Sequence, residues 1–166
     1  MNRKFLSLTA ALLVAACGKA ENEQVTQRQQ IGQQWKYEKE KGADGHEIPL
    51  AYIGSANSVR TMTAPDTFAV LLLQKMRNGE TGVTVKAVGA PFTCDLSDCA
   101  VEASVDGGAS TSWKGRMTDA KDGISIPPPQ RAFEAIEKAK TLTVTIDLGQ
   151  QGKHSFNFNT AGFDWS

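Results

Sequence analysis

From Trp35 onward, apolar and polar residues alternate with a period of two through short runs, with clusters of Gly, Pro, Asn and Asp between them. That period puts successive side chains on opposite faces of an extended chain, so the runs read as strands. The clearest lies near the end, where Leu142, Val144, Ile146 and Leu148 alternate with Thr141, Thr143, Thr145 and Asp147. Gly149-Gln150-Gln151-Gly152 then turns the chain into residues 154–159, an antiparallel partner whose Phe156 and Phe158 share a face. Residues 83–88, after the turn at Asn78-Gly79-Glu80, and 101–105, before Asp106-Gly107-Gly108, read as hairpin arms. Residues 68–73 are apolar on both faces and predict a central strand covered on both sides. Shorter candidates are 35–39, 50–53, 112–114 and 124–126.

One stretch has a different period. Pro127-Pro128-Pro129 stops the strand before it, and Pro is tolerated in the first turn of a helix, where its missing N–H has no intrahelical bond to lose. Through residues 130–140, Phe133 and Ile136, with Ala132 and Ala139, form one stripe, while Glu134, Glu137, Lys138 and Lys140 form another. Glu134 and Lys138 stand at the spacing of a helical ion pair. The sum predicts a mainly β fold, an antiparallel β-sandwich or strongly curved sheet of about 7–9 strands with one packed helix. Residues 35–166 are expected to form that single domain.

The residues before Trp35 do not follow the strand pattern. Arg3 and Lys4 precede an apolar run from Phe5 to Val14, the layout of an export signal. The run is short of the roughly 20 apolar residues of a membrane-spanning helix, and Gly18, Lys19, Glu21 and Glu23 follow at once. Val14-Ala15-Ala16-Cys17 resembles the lipobox of bacterial lipoproteins. The resemblance implies a signal peptide over 1–16, cleavage before Cys17, diacylation of its thiol and acylation of the new amino group. Acyl burial contributes about 0.8 kcal/mol per methylene, and two or more chains hold firmly where one is marginal. Cys17 is therefore the expected lipidation site and permanent anchor. In Gram-negative lipoproteins a Gly after the anchor, as at Gly18, is compatible with sorting to the outer membrane. The implied location is the cell outer membrane, facing the periplasm.

Residues 17–34 are polar and Gln-rich, with only Val25 and Ile31 as sizeable apolar residues. Such a segment buries too little surface to offset its ordering entropy. It is expected to be a flexible tether with a reach of roughly 20–25 Å, in which a transient helix would change the reach more than the role.

Charge and cysteine usage then narrow the function. The chain has 18 basic and 18 acidic residues, and loss of Arg3 and Lys4 with the signal leaves a net charge of about −2. Nucleic-acid binding through phosphate neutralisation is disfavoured. Of the 3 cysteines, assigning Cys17 to lipid leaves Cys94 and Cys99 as an even pair. In an oxidising envelope they are expected to form a disulfide, stabilising the fold by roughly 2 kcal/mol through chain entropy. A redox pair is the alternative, but Asp95 and Asp98 lie between the cysteines and disfavour a thiolate.

The opening Trp and Tyr, the CDLSDCAVEASVDGG stretch, the helix after a Pro-rich stop and the VTIDLGQQGKHSFNFNTAGFDW ending together resemble a group of uncharacterised bacterial envelope proteins. They are also distantly similar to the invasion-associated locus B family and to accessory lipoproteins near type VI secretion systems. The resemblance covers most of residues 35–165. It implies a fold and an envelope address, and brings no catalytic residue with it.

Candidate chemistry is sparse. His46 lies in a turn with Asp44 and Glu47, a composition of a solvated loop rather than of a zinc site, which fixes its ligands on spaced elements. His154 shares strand parity with Phe156 and Phe158, which places it on the apolar face or at its rim, while Ser155 points the other way. A Ser-His-Asp arrangement needs a serine and a carboxylate at the two imidazole nitrogens, and no nucleophile-elbow motif supplies the serine. Asp95 with Asp98, and Asp119 with Asp122, fit no calcium-loop spacing. No metal, cofactor or catalytic residue is therefore expected. Trp113, flanked by Ser112 and Lys114 and followed by Arg116, is the candidate binding surface, because buried Trp and Arg dominate many interface hot spots. The alternative for Trp113 is packing on the core beneath the helix.

These features point to a non-catalytic, lipid-anchored periplasmic domain that binds another protein, as an immunity protein, inhibitor or secretion accessory does. A structural component of the outer-membrane or cell-wall machinery is the alternative, and a hydrolase using His154 or His46 a third.

Overall fold

The computed structural model describes residues 26–42, 44–91, 94 and 99–165. The expected signal, Cys17 and the first part of the expected tether, like Asp95 and Asp98, lie outside the described residues. Among the described residues, nine strands form one antiparallel sheet: β1 (Lys36–Lys41), β2 (Glu47–Gly54), β3 (Phe68–Lys75), β4 (Thr81–Val88), β5 (Cys99–Val105), β6 (Thr111–Met117), β7 (Gly123–Ser125), β8 (Thr141–Asp147) and β9 (Lys153–Asn159). Their spatial order is β1-β2-β3-β4-β7-β6-β5-β8-β9. Of the two architectures expected, the curved sheet is the one found. Its curvature carries the segment after β2 to the far edge, where Ala56 N–H donates to the Asn157 carbonyl at 2.7 Å and Asn57 Nδ2 to the Ser155 carbonyl at 2.8 Å.

The period-two pattern explains which face is buried. Leu71 and Leu73, Val83 and Val85, Val101 and Ala103, Leu142, Val144 and Ile146, and Phe156 and Phe158 all enter one core cluster, from strands across the sheet. In β3, Phe68 and Val70 of the opposite parity are buried too, while Leu72 is half-buried, so the second face is covered over part of its length. Helix α2 (Pro129–Lys138) buries Ala132, Phe133 and Ile136 against the same core, and Ala139 just beyond it is buried as well. Glu134 accepts a hydrogen bond from Gln130 Nε2 at 3.1 Å rather than pairing with Lys138. At Asp106 and Gly107, φ of 49° and 71° supplies the left-handed turn between β5 and β6. The Asp106 carboxylate also accepts from the backbone N–H of Thr141 and Lys140, both at 2.8 Å. These bonds hold its pKa below the ordinary 3.8, with Thr141 the larger cause.

The ordered domain begins earlier than Trp35. Residues 27–31 form a short helix, α1 (Gln27–Ile31), whose N-cap Thr26 and Gln29 make a capping box. Ile31 and Gly32 are half-buried, and Gly54 N–H of β2 donates to the Gly32 carbonyl at 2.9 Å. Arg28 adds a bond to the Ala56 carbonyl at 2.6 Å. The last part of the expected tether is therefore docked on the sheet, which shortens the segment left to act as a spacer.

Candidate functional site

Strand β6 carries the candidate residues, and its alternation separates them. Trp113, Gly115 and Met117 share the core-facing parity, whereas Ser112, Lys114 and Arg116 are exposed on the other face. Trp113 is half-buried and packs against the core cluster, as the packing alternative expected. Arg116 stands three residues on, an odd step that turns it to the opposite face of a strand. The two residues therefore do not form one patch. Arg116 borders a separate shallow surface with Thr84 and Ser125, its neighbours across β7 and β4.

What Trp113 does line is a cleft of about 340 Å³, with Ser112, Lys114, Pro127, Pro128 and Arg131 around it. The cleft exists because β7 stops early. β6 pairs with β7 only at Arg116↔Ser125 and Met117↔Ile124, with one further bond from Thr118 N–H to the Gly123 carbonyl at 2.9 Å. Continuing that register would set Pro127 opposite Lys114 and Pro129 opposite Ser112. Proline has no N–H to donate to a ladder, and Pro129 instead starts α2.

The backbone directions on β6 follow from the same bonds. In an antiparallel strand, alternate residues turn their N–H and C=O to the same side. Thr118 and Arg116 turn theirs to β7, so Lys114 and Ser112 turn theirs the same way, toward the cleft. Trp113 and Gly115 turn theirs toward β5, opposite Val101 and Cys99. Among the described residues, Ser112 and Lys114 thus present an unpaired stretch of strand edge inside the sheet. At its closed end, a Cβ on Gly115 would meet Ile124 Cγ2, and the Ser125 and Cys99 carbonyls at 3.1 and 3.2 Å. Only glycine lets β7 and β5 approach β6 so closely there.

The cleft is also cationic. Lys114 and Arg131 are its only charged lining residues, and neither has an ion-pair partner among the described residues. Lys114 entered the sequence reading only as a flank of Trp113, and Arg131 on α2 was not singled out. The signal was the proline run, which was legible as a strand stop but not as a gap in a sheet.

The other candidates lie elsewhere. Cys94 and Cys99 form the expected disulfide. His154 is half-buried at the rim of the apolar face, with Nε2 at 2.9 Å from the Gln151 carbonyl, and Ser155 on the opposite face bonds Thr145 instead. His46 is exposed in its turn, with Nδ1 3.6 Å from Asp44, a carboxylate that Arg77 also contacts. Neither histidine meets a serine and a carboxylate together, and no group of three metal-ligating side chains occurs among the described residues. Trp35 and Trp165 belong to an aromatic clasp: Phe163 lies 4.9 Å from Trp35, 5.4 Å from Trp165 and 5.7 Å from Phe133 of α2. An open groove of about 790 Å³ runs beside this clasp, lined by Tyr37, Trp165 and Leu50 together with Glu38, Lys39 and Asp164.

No family model matches the chain, and no curated protein matches it. Among solved structures, it is similar to invasion associated protein B from Bartonella henselae, with a TM-score of 0.49 and 16% identity. That match covers 78% of this chain and 85% of the other.

Proposed function

We propose that this chain is a lipid-anchored periplasmic domain, held at the cell outer membrane through Cys17, that binds a partner protein without catalysing a reaction. Immunity proteins, enzyme inhibitors and secretion accessories work in this way. The observation that carries the reading is the opening beside β6, where strand edge, a half-buried Trp and two cations converge on one cleft. An unpaired edge is a template for another chain, and aromatic residues with Arg supply much of the energy of interfaces. The histidines bear on the same choice, since His154 is held by a turn carbonyl and His46 stands in solvent.

A photo-crosslinking residue at Lys114, with a control at Glu40, tests the binding claim in intact envelopes. A discrete protein adduct from position 114 and none from 40 is expected. Equal labelling at both positions, or none at either, contradicts it, and adducts spread over a large wall assembly favour the structural alternative. Fractionation tests the anchor. Cys17→Ser should move the protein from the membrane to the soluble fraction, and its retention at the wild-type level would refute lipidation.

A further inference from the structure

We infer that the element taken up at this opening is an extended acidic segment of the partner, which adds as a strand along residues 111–114 of β6. The inference rests on the protein-binding reading above and adds the partner's conformation and charge. Conformation follows from the backbone. The N–H and C=O groups of Ser112 and Lys114 lie two residues apart on one side of a regular strand, a spacing of about 7 Å. A second extended chain repeats its own donors and acceptors at that interval, whereas a helix satisfies its backbone internally and has none to offer. The protein's own chain does not continue β7 into this place, because the residues that would follow in register are Pro127 and Pro129, which have no N–H to donate, and Pro129 starts α2 instead.

Charge follows from the lining. Lys114 and Arg131 border the cleft without a carboxylate among the described residues of its walls, so a strand carrying Asp or Glu gains from both while a basic one is repelled. Trp113, Pro127, Pro128 and Ala132 provide an apolar wall for the residues between those carboxylates. An added strand with alternating acidic and apolar residues therefore matches the opening in hydrogen bonding, polarity and charge.

Short blocked peptides test this on the full lipidated mature chain in detergent. One alternates Val with Glu and its twin alternates Val with Lys, and the readout is amide hydrogen exchange at each β6 residue. The Glu peptide is expected to slow exchange at Ser112 and Lys114 by at least about tenfold, and the Lys peptide to leave it unchanged. The double variant Lys114→Glu, Arg131→Glu changes two exposed side chains and should reverse the preference. Equal protection by both peptides overturns the acidic character alone. Absence of protection by either, with the envelope adduct at position 114 still formed, overturns strand addition and leaves the protein-binding reading in place. Absence of both removes the two together. Protection that rises with protein concentration and needs no peptide assigns the opening to a second copy and also overturns the inference.

Discussion

Among the described residues, strand β1 and the first half of β6 both lack a partner strand on one side, yet they are built in opposite ways. β1 is Lys-Tyr-Glu-Lys-Glu-Lys with every residue exposed. Its charges are engaged across the pair with β2: Lys39 with Glu47 at 2.8 Å, and Glu38 accepting from the Tyr52 hydroxyl at 2.6 Å. The hydrogen bond to Glu47 raises the Lys39 pKa, and that to Glu38 raises the Tyr52 pKa. Dense lysine on an edge is a device against unwanted pairing. The open half of β6 carries a single lysine, Lys114, and with Arg131 beside it attracts one sign of charge. The β1 edge thus carries alternating charges along its whole length, whereas the proposed docking edge of β6 pairs unfilled backbone groups with charge of one sign.

Substitutions can break that contrast from either side. The largest effect is expected at the closed end of the opening. Gly115→Val forces a branched side chain against Ile124 and two carbonyls, and should cost up to about 3 kcal/mol in urea denaturation. It should also release β7 and extend fast amide exchange to Arg116. Next is the staple at the start of β5, whose Cys99 lies opposite Gly115. The double variant Cys94→Ser, Cys99→Ser should lose about 2 kcal/mol, measured the same way.

A smaller effect concerns pH. Lys86 Nζ lies 2.6 Å from the Asp122 carboxylate, which also accepts from the Thr118 hydroxyl at 2.9 Å. The contact with Lys86, first, and then Thr118 hold the Asp122 pKa below 3.8. Because the folded pKa is the lower one, its contribution is present above pH 3.8 and is lost as pH falls through the folded value. Asp122 is largely exposed, so Asp122→Asn should remove less than about 1 kcal/mol at neutral pH and flatten acid unfolding below pH 4, about the ordinary carboxyl range. The smallest change in stability is expected for Lys39→Val with Lys41→Val on β1, within about 0.5 kcal/mol. Light scattering should nevertheless show concentration-dependent self-association, because the edge loses its protecting charges.

Much of this fold was legible as pattern. Leu142 to Leu148, Val101 to Val105 and the stripe of Phe133 and Ile136 each have a period that only one element satisfies. The site was less so. Trp113 and Arg116 looked adjacent in sequence, but a strand's period of two separates residues three apart. The opening depends on register between β6 and β7, a long-range property that no local window contains. Its one local trace was the proline run after Ile126. Helix α1 was hidden by its polarity, since six of the residues in 24–34 are Gln. Thr26 and Gln29 at capping-box spacing, before Ile31 and Gly32, were the signal for it.

Whether the opening can take up a strand is decided by the state of the β6 edge in the free protein. Residue-resolved amide hydrogen exchange on the unliganded chain measures it. Ser112 and Lys114 should exchange at the rate of exposed loop amides, while Trp113 and Gly115, directed at β5, should be protected. Equal protection at all four positions would show that the edge is already paired and would contradict the account.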